Sequence, residues 1–150
     1  MQITIREPGS AITHFIGMMM AVFAAIPLLV KTAAGSSAAS LASMSIFILS
    51  MILLYGASAT YHSINVSEKV IKVFRKIDHM MIFILIAGSY TPVCMIVLGG
   101  KSGYTLLAIV WGIAAVGIGI KAFWITCPKW FSSIIYIAMG WVCIGVFGPL

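Results

Sequence analysis

The segment "HMMIFILIAGSYTPVCMIVLGG", residues 79–100, indicates the fold class because it contains no Asp, Glu, Lys or Arg. As an α-helix, a segment of this length crosses the ~30 Å hydrocarbon core of a bilayer. The 150-residue chain is 62% hydrophobic and only 8% charged, a composition that a water-soluble domain of this size does not tolerate. The chain is therefore an integral membrane protein.

The charged residues divide the chain into several such apolar intervals, which predict a single integral-membrane domain over residues 1–150. The fold class is all-α, a polytopic transmembrane helix bundle. A cleaved signal peptide is the alternative for the first interval, but Glu7 and His14 are unusual in such a peptide. The five predicted spans are about 11–30, 41–62, 78–98, 104–120 and 131–150.

Local patterns add detail to these spans. The segment "SINVSEKVIKVFRK", residues 63–76, predicts a short amphipathic, basic connector lying at a membrane face. Pro92 predicts a kink in the third span. Small residues near four-residue spacing predict a helix-packing stripe on two spans. These residues are Gly17, Ala21 and Ala25 in the first span, and Ala108, Gly112, Ala115 and Gly119 in the fourth.

The net charge of +6 comes from basic residues in short segments between apolar intervals, so it indicates orientation and does not predict a nucleic-acid partner. If the amino terminus is cytoplasmic, Lys31 and Lys101 are the only Lys or Arg residues on the outer side of the membrane. The remaining Lys and Arg residues lie inside, which predicts this orientation in the cell membrane. The inside residues are Arg6, Lys69, Lys72, Arg75, Lys76, Lys121 and Lys129. The cysteines, Cys94, Cys127 and Cys143, have no paired spacing and resemble small buried hydrophobes.

This topology places the three histidines and the sole aspartate at one membrane face, although they come from different spans. Ionisable groups at membrane depth are costly, so the grouping predicts a functional site, and imidazole is a good zinc ligand. Ser58 and His62 are four residues apart and share a helix face. Contact with headgroup water and capping of helix ends is the alternative explanation. The polar residues concerned are Thr13, His14, Ser58, His62, Asp78 and His79.

Four segments resemble the hemolysin III family, the bacterial branch of the progestin and adipoQ receptor superfamily. They are "EPGSAITHFIG" (7–17), "LYGASATYH" (54–62), "KIDHMMIFILIAGSYTP" (76–92) and "GGKSGYTLLAIVWGIAAVGIGIK" (99–121). The likeness covers essentially the whole chain. It implies a seven-helix architecture with the amino terminus inside and a zinc ion near the cytoplasmic face.

By this resemblance, His62 matches a zinc ligand, Asp78 matches the carboxylate that holds a zinc-bound water, and Ser58 matches a serine that assists the site. Glu7, Thr13 and His14 match the polar motif of the first helix, and His79 is a further supporting residue. The implied activity is hydrolysis of lipid amides of the ceramide type by zinc-activated water, or a role in membrane homeostasis. The alternatives are a non-enzymatic, pore-forming cytolysin and a receptor-like membrane protein.

The chain departs from the family pattern at the other zinc ligands. The family carries an H-x-x-x-H motif on its seventh helix, and this sequence contains no such motif. We therefore expect the last two helices and two of the three protein ligands to be missing from this chain. Replacement by His14 and His79 is disfavoured, since Asp78 and His79 point about 100° apart around one helix. Faces left open would contact lipid, and a homo-oligomer is one way to cover them.

Overall fold

The computed structural model describes residues 4–124, 128–142 and 144, and over these residues the chain forms five α-helices and no strand. A π-helical segment, Val93–Leu98, directly continues the third helix. The first four helices are long and apolar enough to cross a membrane, with the π-helical segment counted as part of the third. The predicted all-α membrane bundle is therefore confirmed. The helices are α1 (Pro8–Gly35), α2 (Ala38–Ser63), α3 (Glu68–Pro92), α4 (Gly100–Phe123) and α5 (Lys129–Trp141).

Helices that follow one another along the chain pack side by side. α1 packs on α2, α2 on α3 and α3 on α4, while α5 contacts both α3 and α4. The core lies among α3, α4 and α5 and is centred on Phe83, Leu106, Val110 and Met139, which are at most 2% exposed. Large apolar side chains along α1, including Phe23, remain exposed in the chain by itself. This outer surface is suited to lipid.

The α1–α2 connection is shorter than the sequence predicts. The predicted spans leave residues 31–40 between them, whereas α1 continues to Gly35 and α2 already begins at Ala38. The reason is that alanine, abundant in this segment, favours helix. Ser37 caps α2, because its side chain accepts a hydrogen bond from the backbone N–H of Ser40 at 3.2 Å.

The basic connector is not a separate element, so this prediction is wrong. α3 begins at Glu68 and continues without a break through Asp78 into the apolar span. Lysine, arginine and glutamate are good helix formers, and no Gly or Pro interrupts the segment before Gly88. Glu68 in the first turn also complements the positive end of the helix dipole.

At Pro92 the chain changes from α-helix to π-helix. Proline has no N–H to donate to the preceding turn. The segment Val93–Leu98 follows with the i→i+5 hydrogen bonds of a π-helix. The backbone N–H of Gly99 ends this segment by donating to the carbonyl of Cys94 at 3.0 Å. Gly99 and Gly100 then turn the chain with φ values of 58° and 53°, which glycine adopts readily.

The two predicted packing stripes have different outcomes. Ala21 is buried, and a Cβ added at Gly17 would lie 2.9 Å from the ring of Tyr55, so the α1 stripe does pack on α2. The prediction for α4 is wrong for the described residues, because its stripe does not pack on another of their helices. A Cβ added at Gly112 would have no neighbouring atom within 4 Å. α4 packs instead through a different face, which includes Gly103. Both faces carry small residues, and only the rotation of α4 about its axis selects between them.

Part of the predicted fifth span lies outside the described residues. α5 covers Lys129–Trp141, and residues 143 and 145–150 of the predicted span, like residues 125–127 before it, are not described. Cys94 is a buried free thiol, as predicted. Cys127 and Cys143 fall among the residues outside the description.

Candidate functional site

One end of the bundle brings together the start of α1, the end of α2, the start of α3, the end of α4 and the first turns of α5; we refer to it as the polar end. Four hydrogen bonds between neighbouring segments place them at one level. They are Glu7 N to His62 O at 3.0 Å, Arg75 Nε to Tyr61 Oη at 2.9 Å, Lys76 Nζ to Ala122 O at 2.7 Å, and Tyr136 Oη to His79 O at 3.0 Å.

Glu7 and His62 form the best-defined polar contact of this end. His62 Nδ1 lies 2.7 Å from Glu7 Oε2, and the backbone N–H of Glu7 also donates to the His62 carbonyl. An ionised carboxylate only accepts hydrogen bonds, so His62 Nδ1 carries the proton. In the neutral imidazole ring, Nε2 then keeps its lone pair and can coordinate a metal ion.

The electrostatics of this contact favour an ionised Glu7. The hydrogen bond from His62 is the main cause that holds the pKa of Glu7 below its ordinary value. Desolvation acts in the opposite direction, and the charges of His62 and Arg6 add to the lowering. Arg6 Nε also donates to Glu7 Oε1 at 3.1 Å. Glu7 is therefore fixed by two neighbours although 47% of its side chain is exposed.

His14 links the same region to Ser58. His14 Nδ1 is hydrogen-bonded to the hydroxyl of Ser58, which is buried in α2. The rings of His14 and His62 meet edge to face, with centroids 5.4 Å apart. Glu7, His14, Ser58 and His62 thus form a continuous set from α1 and α2, which we call the histidine cluster. Ser58 shares a site with His62, but its hydroxyl contacts His14.

Two arginines and a tyrosine support the histidine cluster, and sequence reasoning did not select them as site residues. The Arg6 guanidinium stacks 4.2 Å from the ring centroid of Tyr61, which is buried beside His62. Arg75 Nε donates to the Tyr61 hydroxyl at 2.9 Å. Since Arg75 lies one turn before Asp78, this bond ties the aspartate turn of α3 to the end of α2. Their adjacency to predicted site residues was the available sequence signal for Arg6 and Tyr61.

Asp78 is a buried carboxylate at the polar end. Its residue is only 9% exposed, and no hydrogen bond or ion pair joins its side chain to another residue of the described part of the chain. Its carboxylate oxygens are not among the fully buried side-chain atoms that lack a hydrogen-bond partner, so they remain open to water or to a ligand.

The structure separates Thr13 and His79 from the histidine cluster. Thr13 is exposed, and its hydroxyl donates to the carbonyl of Gly9 within its own helix at 3.0 Å. His79 lines a different cavity, between α3, α4 and α5. These two predicted supporting residues therefore do not join Glu7, His14, Ser58 and His62.

The histidine cluster fits a metal ion only in part. Within the described ranges, no group of three or more His, Cys, Asp or Glu side chains is arranged to hold a metal ion. His62 has one free imidazole nitrogen and a carboxylate on the other, the arrangement that commonly orients a zinc ligand. A catalytic zinc needs three protein ligands, so the described residues do not complete a zinc site.

The fold and the polar end define a class of protein: a multi-pass membrane helix bundle with buried polar groups at one end. Residues 2–150 match the family described as "Haemolysin-III related", and the chain belongs to this family. It is 40% identical over 145 residues to "Hemolysin-3" of Bacillus cereus, covering 97% of this chain and 66% of the relative. It is also 40% identical over 148 residues to "Hemolysin-3 homolog" of Bacillus subtilis (strain 168), covering 98% and 69%. The chain thus spans about two thirds of these relatives' length. No solved structure matches it.

Proposed function

We propose that this protein acts within the cell membrane and that the histidine cluster, together with Asp78, supplies part of a zinc-dependent site that hydrolyses lipid amides. The observation that carries the proposal is the Glu7–His62 contact, since Glu7 occupies Nδ1 and leaves Nε2 of His62 for a metal. Carboxylate partners of this kind orient ligand histidines and raise their basicity. Zinc, when bound, supplies the activated water of such a reaction.

The roles of the other side chains follow from their surroundings. Asp78 is buried and unpaired among the described residues, which suits a carboxylate that holds a water molecule or accepts its proton. Ser58 is buried with its hydroxyl on His14, so the pair can exchange a proton or donate to a polar substrate atom. Further metal ligands have to come from outside the described set.

The same proposal puts the polar end at the cytoplasmic face. Seven of the nine Lys and Arg residues belong to segments at this end, whereas Lys31, in the last turns of α1, and Lys101, in the first turn of α4, lie at the opposite end. Basic residues are enriched in cytoplasmic segments of membrane proteins, which supports a cytoplasmic amino terminus.

A non-enzymatic cytolysin is the second candidate function, favoured by the name "Hemolysin-3" of the Bacillus cereus relative. A cytolysin of this kind damages membranes without chemistry at the polar end. It therefore differs from the hydrolase in its dependence on His62. No described contact specifically favours a receptor-like function.

Zinc affinity tests the proposed hydrolase with a matched pair of glutamate variants. Purified protein in lipid nanodiscs is titrated with zinc against a chelator. We expect Glu7→Gln to weaken zinc binding by roughly 10- to 100-fold, as for other carboxylates that hold a ligand histidine. Glu68→Gln, an equal charge change on an exposed residue of α3, should leave it unchanged. His62→Gln should abolish it.

The competing outcomes are distinct. Absence of zinc binding in the unmodified protein, or equal binding in Glu7→Gln and Glu68→Gln, would refute the zinc proposal. Hydrolysis of a fluorescent ceramide and lysis of red cells are measured on the same preparations. Lysis that persists in His62→Gln while no ceramide is cleaved would favour the cytolysin.

A further inference from the structure

The first turns of α3, at the polar end, carry two parallel rows of side chains, one basic and one apolar. Each row has the spacing i, i+3, i+7, which keeps its members on one face of a helix. Every member of the apolar row directly follows a lysine, so the two faces adjoin, about 100° apart around the helix axis. The basic row consists of Lys69, Lys72 and Lys76, and the apolar row of Val70, Val73 and Ile77.

The apolar row lies on the outer surface of the bundle. Val70, Val73 and Ile77 are 40%, 50% and 38% exposed. α3 packs on its neighbours through another face, which contains the buried residues Ile71 and Asp78. The apolar row is therefore open to whatever surrounds the protein at this level.

The length of the third span places both rows at the level of the lipid headgroups. The span Glu68–Leu98 contains 31 residues, and at ~1.5 Å per residue a helix of this length measures about 46 Å. This length exceeds the ~30 Å hydrocarbon core and is close to the ~45 Å of a bilayer with its headgroups. Since the uncharged residues 79–100 are suited to the core, the first turns of α3 cross the headgroup region.

The three lysines of the basic row differ in their contacts. Lys76 donates to the Ala122 carbonyl of α4 at 2.7 Å and so helps to fix α3 within the bundle. Lys69 and Lys72 are exposed, and neither forms a hydrogen bond or an ion pair with any residue that the structure describes. Glu68 lies one turn before Lys72 but does not pair with it. Water solvates these two exposed ammonium groups, so their charges remain available to an anionic headgroup at the same level.

We propose that this surface binds anionic phospholipids of the adjacent leaflet: the lysines contact the headgroup phosphates, and the apolar row contacts the upper acyl chains. Charge complementarity selects this occupant, because residues 68–76 contain four basic residues and one acidic residue, and anionic headgroups attract such segments. A phospholipid matches both rows at once, since its phosphate and its acyl chains follow one another along the membrane normal, as Lys69 and Ile77 do along α3. Neither row belongs to the histidine cluster, so this binding requires neither zinc nor the proposed hydrolysis.

The test compares two double variants that lose the same charge at opposite ends of the bundle. Lys69→Gln with Lys72→Gln removes two charges of the basic row, and Lys31→Gln with Lys101→Gln removes two exposed charges from the other end. Native mass spectrometry of the detergent-solubilised protein measures the binding of phosphatidylglycerol, with phosphatidylcholine as the neutral comparison. We expect the unmodified protein and the opposite-end variant to bind phosphatidylglycerol more tightly than phosphatidylcholine. The basic-row variant should bind phosphatidylglycerol about 30-fold more weakly, since each lysine near an anionic surface contributes ~1 kcal/mol.

Equal affinity of the unmodified protein for the two lipids, or equal losses in the two double variants, would overturn the proposal. A second measurement, on the unmodified protein in lipid nanodiscs, locates the contact. Adding phosphatidylglycerol to phosphatidylcholine should slow the reaction of Lys69 and Lys72 with an amine-reactive reagent more than that of Lys31 and Lys101. Equal slowing at both ends would reflect only the general surface potential and would contradict the proposal. Neither measurement involves zinc or hydrolysis, so a negative result leaves the proposed hydrolase unaffected.

Discussion

The close approach of α4 to the π-helical segment can be tested with one added methyl group. A Cβ at Gly103 would overlap the carbonyl oxygen of Cys94, which is also held by the N–H of Gly99 at 3.0 Å. A Cβ at Gly112, on the same helix, would meet no atom within 4 Å in the described structure. Gly103→Ala and Gly112→Ala are thus the same chemical change with and without a steric conflict.

The expected magnitude follows from the difference between the two variants. Replacing glycine by alanine inside a helix stabilises it by roughly 0.5–1 kcal/mol, and this contribution is common to both sites. Overpacking costs about 1–3 kcal/mol, and the obstacle at Gly103 is backbone, which cannot rotate away. We therefore expect Gly103→Ala to be less stable than Gly112→Ala by about 1–3 kcal/mol.

The assay is reversible unfolding in mixed micelles of increasing sodium dodecyl sulfate content, followed by circular dichroism. The free energy of unfolding is compared for both variants and for the unmodified protein in the same detergent. Gly112→Ala serves as the control and should equal or exceed the unmodified protein in stability. Equal stability of the two variants would show that α4 does not approach Cys94 as described.

Two further predictions concern single hydrogen bonds. Because Glu7 has a lowered pKa in the folded protein, its stabilising contribution is complete above the ordinary value of 4.5 and is lost as pH falls through the lower folded value. The midpoint of thermal unfolding should therefore decline over this acidic range in the unmodified protein and in the control Glu68→Gln. The decline should be smaller in Glu7→Gln, and a decline of equal size in that variant would contradict the reasoning. Trp111 Nε1 donates to Thr91 Oγ1 at 3.1 Å between α4 and α3. Trp111→Phe should lower the free energy of unfolding in micelles by about 0.6 kcal/mol, and no change would mean that this bond contributes nothing measurable.

That this is a helical membrane protein, and which helix ends meet, follows from the order of residues alone. A membrane span requires a long uncharged segment, which is a local property of the chain and can be read in one dimension. Alternation of spans then places the end of α2 and the beginning of the next span at one level, so His62 and Asp78 were predicted to share the polar end. Family resemblance, not spacing, suggested zinc for these residues.

Which side chains meet at that level depends on how the helices pack in three dimensions. This packing joined His62 to Glu7 and Ser58 to His14, turned Thr13 outwards, and placed His79 at a separate cavity. These contacts depend on the rotation of each helix about its own axis. That rotation is set by the packing of neighbouring helices, and the composition of a single span does not contain it.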